Sequence, residues 1–499
     1  MTASIPSTPT RFVGFDSGGE VFLSQGRVLR GIYPGEGVLY RKVLRICETH
    51  DLFQLGIVKT RELQANPHPS LPYDIVLEHE KIPFITYPHE WPASMLKVAA
   101  LFHIDLYARL GPYGLTVKDW HPYNILFKGT EPVFVDFTSI IPVYDLRNEE
   151  YLTPPCIPRL FRNVWDTTSA YFYEMYRRMF VPYFLFPLYM INNGNHSRAR
   201  RRMLETAMNT ADSVIRQDEV FNAGSRGWKH YKAKDLLKKL ALSQRSITKR
   251  WFLRLLRAEV KRLSVFRQSS NYSDYYSAKN EGFGFEPSSE WTEKQHTTYQ
   301  AIKRLGPRTL LDMGSNTGWF SIMAARLGCQ VVAFDIDEAC ADILYQRARQ
   351  YDLDILPLVM DMTKLTRDIP PLDFENEPSR SLIGGQAPLL LSAEKRLKCD
   401  MVLALAIVHH LALGHGIGFD EIVNKLGAFV TKYLLIEFVA KEDKLIEADP
   451  DFFPAYNADP RGFGWYTLDR FTRELRRRFR DVDIRKSHPE SRVILICTR

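Results

Sequence analysis

The chain has 499 residues, of which 45% are hydrophobic and 25% are charged, and its formal net charge is +8. These values are ordinary for a globular protein, and they exclude a disordered or fibrous chain. Because the chain has more residues than one hydrophobic core typically holds, we expect two domains.

The cysteines and the apolar segments indicate a cytoplasmic protein. The six cysteines are scattered and form no Cys-x-x-Cys pair, so we expect reduced, packed thiols and neither a disulfide framework nor a zinc site. Residues 1–11 contain no apolar run and therefore no secretory signal. The most apolar segment, Met179 to Ile191, is short and contains two prolines, which predicts a buried helical connection and no transmembrane segment.

The first predicted elements form a small β-rich unit. Two β-prone runs on either side of Gly26 predict a hairpin, and the second run carries Arg30. The elements predicted next are a helix near Tyr40 to Thr49, strands at Gly56 to Thr60, Ile75 to Glu80 and Phe84 to Tyr87, and a helix at Ser94 to Leu110.

The most distinctive segment of this half holds three polar residues at fixed spacing. Asn124 follows Asp119 by five residues, and Asp136 closes the next strand. This arrangement resembles the catalytic and metal loops of protein-kinase-like phosphotransferases. The resemblance implies that Asp119 acts as the base, that Asn124 and Asp136 hold Mg²⁺, and that Tyr87 to Trp91 form a hinge.

The same half departs from active phosphotransferases. No Gly-x-Gly-x-x-Gly loop precedes the first helix, and Arg30 occupies the place expected for the kinase lysine. Val117 and Lys118 replace the His-Arg pair before the first acid, and Thr138 replaces a glycine. We therefore expect a pseudokinase-like domain, in which the alternative role of the three polar residues is a hydrogen-bonded structural cluster.

A basic segment follows in the middle of the chain. Arg226 to Arg267 contain fourteen Lys or Arg and two acidic residues, a local net charge of +12, so the rest of the chain carries about −4. Apolar residues recur there at helical spacing, and we assign Trp251 and Phe252 to the apolar stripe. Three roles remain open: an amphipathic connector with a solvated basic face, a surface for nucleic acid or another acidic partner, and contact with an anionic membrane. Aromatic residues on the stripe disfavour base stacking.

The most informative stretch lies in the C-terminal half. A buried strand ends in Asp312 and runs into a turn with Gly314, Asn316 and Gly318, after which a helix begins. Glycine and asparagine tolerate left-handed φ, so the backbone of this turn can approach a ligand closely. The next strand ends in Asp335. At the carboxyl ends of adjacent strands in a doubly wound sheet, such residues build a nucleoside site in which this acid takes the ribose hydroxyls.

Strands and helices alternate from there to the end of the chain, which predicts a mainly parallel sheet. The predicted elements are a helix at Ala339 to Tyr351, strands at Ile355 to Met360, Asp400 to Ala406 and Tyr433 to Phe438, a helix at Leu468 to Arg478 and a last strand at Arg492 to Cys497.

This order resembles the class I S-adenosylmethionine-dependent methyltransferases over roughly Glu290 to Arg499. The resemblance implies a Rossmann-like α/β domain with a seven-stranded sheet, S-adenosyl-L-methionine as cofactor, and no metal. It implies that Asp335 binds the ribose and that Asp361 lies beside the adenine. The expected cofactor-binding residues are Asp312, Gly314, Ser315, Asn316, Gly318, Asp335, Asp361 and Ala404.

Candidate catalytic residues follow the fourth and fifth strands of this sheet. An oxygen acceptor needs a base, and His409 or His410 can supply it at neutral pH; alternatively, one of them caps a helix or packs under the cofactor. Glu437 either orients that histidine, binds substrate or has a structural role. Trp319 and Phe320 are expected to pack at the start of the helix after the glycine turn.

A Ser- and Tyr-rich stretch, Gln268 to Glu290, precedes this domain. We interpret it as a linker in which Tyr275 and Tyr276 either fold over the cofactor as a lid or pack against the linker itself.

The two halves together resemble a bacterial methyltransferase family that includes rhizobial host-specific nodulation proteins. The pieces that carry this resemblance are Leu77 to Phe84, Lys118 to Asn124, Ser273 to Tyr276 and His409 to Leu411. It implies methyl transfer, and we expect O-methylation of a small-molecule or carbohydrate acceptor. The alternative is a bifunctional or regulatory protein whose N-terminal domain binds Mg-ATP or phosphorylates a substrate. We expect an α+β kinase-like domain in residues 1–225, a basic helical connector and linker in 226–289, and a methyltransferase domain in 290–499.

Overall fold

A computed structural model describes residues 10–11, 18–142, 172–173, 175–208, 239, 246–266, 270, 287–369, 390–448 and 452–499. The predictions for Cys156, Tyr275 and Tyr276, and for residues 226–238, 240–245 and 267 of the basic segment, lie outside these residues.

An antiparallel sheet of five strands opens the chain, in the order β1-β2-β3-β5-β4. Its strands are β1 (Thr10–Arg11), β2 (Gly19–Ser24), β3 (Arg27–Ile32), β4 (Thr60–Glu62) and β5 (Ile75–His79). Gln25 and Gly26 join β2 to β3 with φ values of 51° and 77°. Two consecutive positive φ values match the twist of a tight hairpin, and the predicted hairpin is confirmed.

Two strands predicted in this half are wrong. Instead of a strand at Gly56 to Thr60, a 3₁₀ turn occupies Leu52–Leu55 and Ile57 forms only an isolated bridge with Phe134, so that β4 begins at Thr60. Within the described range 18–142, no strand covers Phe84 to Tyr87. Prolines flank that stretch and cannot donate to a strand ladder, and the Tyr87 N–H bonds the Glu90 carboxylate instead.

Helices and short hairpins complete the N-terminal half. They are α1 (Gly37–Thr49), α2 (Ala93–Leu110), β6 (Leu115–Val117) paired with β9 (Ile140–Pro142), β7 (Ile125–Lys128) paired with β8 (Glu131–Phe134), a π-helix (Tyr176–Leu185), α3 (Phe186–Asn192), α4 (His196–Met208) and α5 (Ser246–Arg262). Phe180, Phe184 and Leu188 are fully buried, so the predicted buried helical connection is confirmed. No helix of the described residues is long and apolar enough to cross a membrane.

The helix of the basic segment corrects one assignment. Phe252, Leu256 and Val260 of α5 are buried, as the predicted apolar stripe requires. Trp251, however, is 52% exposed, and the Arg254 guanidinium lies 5.5 Å from the centre of its ring. One residue turns a helix by about 100°, so Trp251 lies beside the stripe and among basic side chains. The argument against base stacking assumed that the aromatic side chains lie on the apolar stripe, and Trp251 does not lie there.

A seven-stranded sheet forms the C-terminal half, in the order β12-β11-β10-β13-β14-β16-β15. Its strands are β10 (Thr309–Met313), β11 (Gln330–Asp335), β12 (Ile355–Val359), β13 (Cys399–Ala404), β14 (Val430–Val439), β15 (Asp481–Lys486) and β16 (Arg492–Thr498). Neighbours from β12 to β14 are parallel, and β16 pairs antiparallel with both β14 and β15. Every residue of β13 is buried, as in a strand covered on both faces.

The helices of this half connect the strands. They are α6 (Glu293–Leu305), α7 (Trp319–Arg326), α8 (Glu338–Gln350), α9 (Ala393–Arg396), α10 (Phe419–Gly427), α11 (Lys444–Ala448), α12 (Pro454–Ala458) and α13 (Leu468–Arg476), with a π-helical turn at His410–Gly414. The mixed α/β class is therefore confirmed. The fourth strand ends at Ala404 and not at Ala406, because Ala406 has a φ of 56°, which no strand accommodates.

The two halves pack directly on each other. Buried apolar side chains from both sheets belong to one continuous core, which includes Phe127 of β7, Tyr345 of α8 and Leu358 of β12. The Tyr345 hydroxyl donates to the Thr130 carbonyl at 3.3 Å across the contact. The five cysteines that the structure describes are free and buried, as predicted.

Candidate active site

The glycine turn after β10 adopts a conformation that side chains would obstruct. Gly314, Asn316 and Gly318 have φ values of 69°, 50° and 88°. A Cβ atom on Gly314 would lie 3.0 Å from Ile407 Cδ1, and one on Gly318 would lie 2.2 Å from Leu344 Cδ1. Both glycines are therefore required by backbone conformation and by space, and α7 begins directly after them.

Asp335 binds the glycine turn from the neighbouring parallel strand. Its Oδ2 accepts the N–H of Asn316 at 2.7 Å, and its Oδ1 accepts the N–H of Asp337 at 2.9 Å. Burial raises the pKa of Asp335. The turn is also held to β11 by the N–H of Gly314, which donates to the Phe334 carbonyl at 2.8 Å. The structure thus brings together the two strand ends that the sequence paired.

Two hydroxyl groups of the same turn are buried without partners. Ser315 Oγ and Thr317 Oγ1 make no hydrogen bond within the described part of the chain. Buried polar atoms are nearly always bonded in folded proteins, so these two are suited to bonding a ligand. Thr317 was not among the predicted site residues, although it lies inside the recognised turn.

Asp312 lies beneath the turn. Ser321 Oγ donates to its Oδ2 at 2.6 Å, and burial raises the pKa of Asp312 to about 6, because a buried carboxyl group disfavours its charged form. Asp312 is thereby bonded to the first turn of α7, and its role beside a cofactor stays a prediction.

The ends of β12 and β13 complete the rim of the site. Asp361 follows β12 and accepts from the N–H and the hydroxyl of Thr363 at 2.8 and 2.7 Å. The Met360 N–H donates to the Asp335 carbonyl at 2.9 Å, which holds Asp361 next to the β11 end. Ala404, the last residue of β13, is fully buried.

The histidine pair follows β13. His409 is fully buried, and neither ring nitrogen has a hydrogen-bond partner among the described residues. Its ring centre lies 4.2 Å from that of His410, which stacks on Phe453 at 5.5 Å. Burial and then the neighbouring His410 lower the pKa of His409 well below its usual value, and burial lowers that of His410 to about 4. Both imidazoles are therefore neutral at pH 7, and each keeps one ring nitrogen without a proton.

Glu437 does not orient His409. Its Oε2 accepts Lys294 Nζ at 2.8 Å, and its Oε1 accepts the Ser487 hydroxyl at 2.6 Å. The positive charge of Lys294 opposes the rise in the pKa of Asp312, and it adds to the fall in the pKa of His409. Sequence reasoning missed Lys294, although the capping pattern Thr292 to Gln295 marks the start of its helix.

A second buried ion pair lies near the histidines. Arg492 binds Asp443 with two nitrogens at 2.8 and 3.0 Å, and Ser491 Oγ donates to the same carboxylate at 2.5 Å. Arg492 helps to lower the pKa values of both His409 and His410. The two partners lie 49 residues apart, and no local pattern marks either of them.

The predicted N-terminal cluster is also assembled. Ser139 Oγ lies 2.8 Å from Asp119 Oδ2, 2.5 Å from Asp136 Oδ2 and 3.4 Å from Asn124 Nδ2. Arg30 Nη2 lies 3.0 Å from Asp136 Oδ1. Burial alone would raise the pKa of Asp136, but Arg30 and Lys118 outweigh it and lower that pKa to about 2.

The acids of this cluster are engaged by the chain itself. Asp136 Oδ1 also accepts the Thr138 hydroxyl at 2.9 Å. Among the described residues, no group of three or more His, Cys, Asp or Glu side chains is placed to hold a metal ion. These residues are thus observed in a hydrogen-bonded cluster in which the Arg30 guanidinium is the positive charge beside Asp136.

Comparison with known proteins gives one relative along nearly the whole length. No family model matches the chain. The nodulation protein NoeA of Rhizobium meliloti (strain 1021) is 28% identical over 476 residues, which cover 92% of each protein.

Similar solved structures cover less. The bifunctional kinase-methyltransferase WbdD is 16% identical over 48% of this chain and 44% of its own, with a TM-score of 0.29. The magnesium protoporphyrin IX methyltransferase ChlM from Synechocystis PCC 6803 with bound SAH is 15% identical over 46% of this chain and 97% of its own, with a TM-score of 0.26. The chain therefore spans less than half the length of WbdD.

Proposed function

We propose that this chain, which belongs to a bacterial family that includes a rhizobial nodulation protein, is an S-adenosyl-L-methionine-dependent methyltransferase. The observation that carries the proposal is the bond between Asp335 and the Asn316 N–H, at the ends of two parallel strands and beside a turn with two obligatory glycines. Strand ends of this kind are where open α/β sheets bind nucleosides.

The residues present fit this cofactor. Asp335 would take the ribose hydroxyls and Asp361 would lie by the adenine. The hydroxyls of Ser315 and Thr317, which have no partner among the described residues, would offer further bonds. Gly314 and Gly318 supply the left-handed backbone that this turn requires. When bound, the cofactor supplies an electrophilic methyl group, and the chain has to place the acceptor and remove its proton.

We assign the base to the histidine pair, with His409 first. An imidazole that is neutral at pH 7 can take a proton from an acceptor hydroxyl, and both nitrogens of His409 lack partners within the described residues. Next to His410, the ring of Phe452 is 39% exposed and offers an aromatic surface, whereas Phe453 is buried. Such a surface suits the apolar face of a sugar or another small ring, which supports O-methylation of a small-molecule or carbohydrate acceptor.

Isothermal titration calorimetry with S-adenosyl-L-methionine tests the donor. The wild-type protein should bind, whereas Asp335→Ala should weaken binding roughly 100-fold, because it removes hydrogen bonds to a charged group. Asn316→Leu should weaken it as well, since a branched side chain strains the left-handed turn. Asp483→Ala is the matched control, because Asp483 lies on β15 at the far edge of the same sheet. A folded wild type without binding, or full binding in Asp335→Ala, rejects the proposal.

The acceptor can be identified by an untargeted comparison of cell contents. Comparison of small metabolites and glycans in cells with and without the gene should reveal a product heavier by one methyl group. Labelled methyl groups from the donor should appear on oxygen in that product. A methylated protein or RNA in place of a small molecule would keep the donor assignment and replace the acceptor class.

A second function is favoured by one observation, the meeting of Asp119, Asn124 and Asp136 around Ser139. If this kinase-like site works, it binds Mg-ATP, with Asn124 and Asp136 on the metal and Asp119 as base. Arg30 would then have to release Asp136. Calorimetry with ATP and Mg²⁺ decides: no heat of binding, together with unchanged methyl transfer in Asp136→Asn, rejects this function.

A further inference from the structure

The segment Tyr87 to Trp91, which links the N-terminal sheet to α2, is also a joint with the C-terminal half. Its 3₁₀ turn spans Pro88–Glu90, and the carboxylate of Glu90 bonds the backbone at Tyr87. The Tyr87 N–H donates to Glu90 Oε2 at 3.0 Å, and the His89 carbonyl accepts Arg200 Nη1 at 2.8 Å. Because these two groups are bonded within the protein, the segment serves as a structural joint.

One side of the joint holds the loop that follows Asp361. Glu90 is buried against Arg396 and also accepts the Thr366 hydroxyl at 2.8 Å. Thr366 lies five residues beyond Asp361 on the same loop. The Tyr87 hydroxyl accepts the Leu391 N–H at 2.7 Å, and the Arg396 guanidinium lies 4.4 Å from the centre of the Tyr87 ring.

The other side holds the loop that follows Asp335. Glu338 comes three residues after Asp335 and begins α8. Its Oε1 accepts the N–H of Ala93 at 2.8 Å, and its Oε2 accepts Arg200 Nε at 2.9 Å. Arg200 thereby joins the carbonyl of the hinge segment to the first residue of α8.

A second carboxylate of α8 repeats this contact. Asp342 Oδ1 accepts the Ser94 N–H at 3.1 Å, so two acids of α8 cap the N-terminus of α2. Negative charge is favoured at a helix N-terminus, where backbone N–H groups lack partners within the helix. Burial alone would raise the pKa of Glu338, but Arg200 and His196 outweigh it and lower that pKa to about 2, so Glu338 is ionised.

We infer that the N-terminal half positions the donor site, with Arg200 and Glu90 holding the loops that carry Asp335 and Asp361. This inference rests on the proposed methyltransferase function and deepens it, because it gives the kinase-like half a part in donor binding. Arg200 and Glu90 are positioning residues: they act on the donor through Asp335 and Asp361.

A double-mutant cycle in the full chain tests this. Arg200→Ala should weaken binding of S-adenosyl-L-homocysteine roughly tenfold, and Arg200→Lys should recover part of the loss. In an Asp335→Ala background, Arg200→Ala should add little, because its effect passes through Asp335. Arg257→Ala is the matched control: Arg257 joins α5 to Asp105 of α2 and touches neither loop in the contacts described. It should leave the affinity unchanged.

Hydrogen exchange supplies a second measurement that does not depend on the donor. Arg200→Ala should raise the exchange of amides in 336–342, whereas Arg257→Ala should not. Unchanged donor affinity in Arg200→Ala, equal losses in Arg200→Ala and Arg257→Ala, or additive losses with Asp335→Ala would overturn the inference. If the wild type itself binds no donor, the proposed function fails. Wild-type binding with a silent Arg200→Ala rejects only the positioning role.

Discussion

The two polar sites of this protein differ in what their own chain leaves unbonded. In the C-terminal site, Ser315, Thr317 and His409 keep buried polar atoms without partners among the described residues. In the N-terminal site, the acid Asp136 is bonded by Arg30, Thr138 and Ser139, whereas Nδ1 of the nearby His121 has no partner among the described residues. Both sites bring their motif residues together. The difference teaches that the assembly of motif residues is weaker evidence of ligand binding than buried polar atoms of the motif that lack hydrogen-bond partners within the described residues.

The largest effect that separates the two sites should come from Asp136→Asn. This change leaves the buried Arg30 without its carboxylate, and loss of one partner of a buried pair costs about 3 kcal/mol of unfolding free energy. Donor affinity should not change. Urea denaturation and calorimetry measure the two quantities on the same samples.

The matched control for that change is Asp105→Asn. Its pair with Arg257 is well exposed, so the loss should stay below about 1 kcal/mol. Weaker donor binding in Asp136→Asn would contradict the comparison, because it would mean that the N-terminal acids contribute to the donor site directly.

A smaller effect should separate two glycines. Gly318 and Gly328 both have a φ of 88°, but a Cβ on Gly318 would lie 2.2 Å from Leu344, whereas one on Gly328 would meet nothing within 4 Å. Gly328→Ala should cost about 1 kcal/mol for the left-handed conformation alone. Gly318→Ala should cost about 2 kcal/mol more, through overpacking, and should weaken donor binding. Equal losses of stability in denaturation would show that the turn relaxes and that its close packing is not required.

Near pH 6 the smallest effect, below about 1 kcal/mol, should be a pH dependence that traces to His410. Its pKa lies near 4 in the folded protein and near 6.5 in the unfolded chain. As the pH falls through 6.5, the unfolded chain takes up a proton that the folded site does not, so the wild type loses stability down to about pH 4. His410→Gln lacks this loss, and the stability difference between the two proteins should shift in its favour over that range.

The lowered pKa values of the pair also predict the activity profile. With His409 as the proposed base, methyl transfer should persist below pH 6, because burial keeps its imidazole neutral there. A fall centred on pH 6.5 would show instead that the histidine pair is solvated during the reaction, and it would count against a buried base.

Local sequence pattern predicted the strands and the glycine turn of the proposed donor site. The buried strands with Asp312 and Asp335 at or near their ends can be recognised in the sequence, because apolar runs, acids and glycines fall at fixed spacing. Pattern failed at Trp251, where one residue of helical rotation decides between burial and exposure. It also failed at Phe84 to Tyr87, where flanking prolines and a side-chain bond remove the strand ladder.

Partners distant in the chain could not be predicted. Glu90 and Arg396 lie 306 residues apart, and Lys294 and Glu437 lie 143 apart. Each pair forms only when distant elements pack together. In the sequence, these charged residues cannot be distinguished from charged residues that stay on the surface. The role of Glu437 was therefore open until its partners were known.

The continuous core between the halves has a practical consequence for anyone who shortens this chain. Tyr345 and Leu358 of the C-terminal half pack into the same core as Phe127 of the N-terminal half. A fragment cut before residue 290 would expose that apolar surface and the carboxylates of Glu338 and Asp342 together. We expect such fragments to aggregate, and we expect the intact protein to melt in a single cooperative transition.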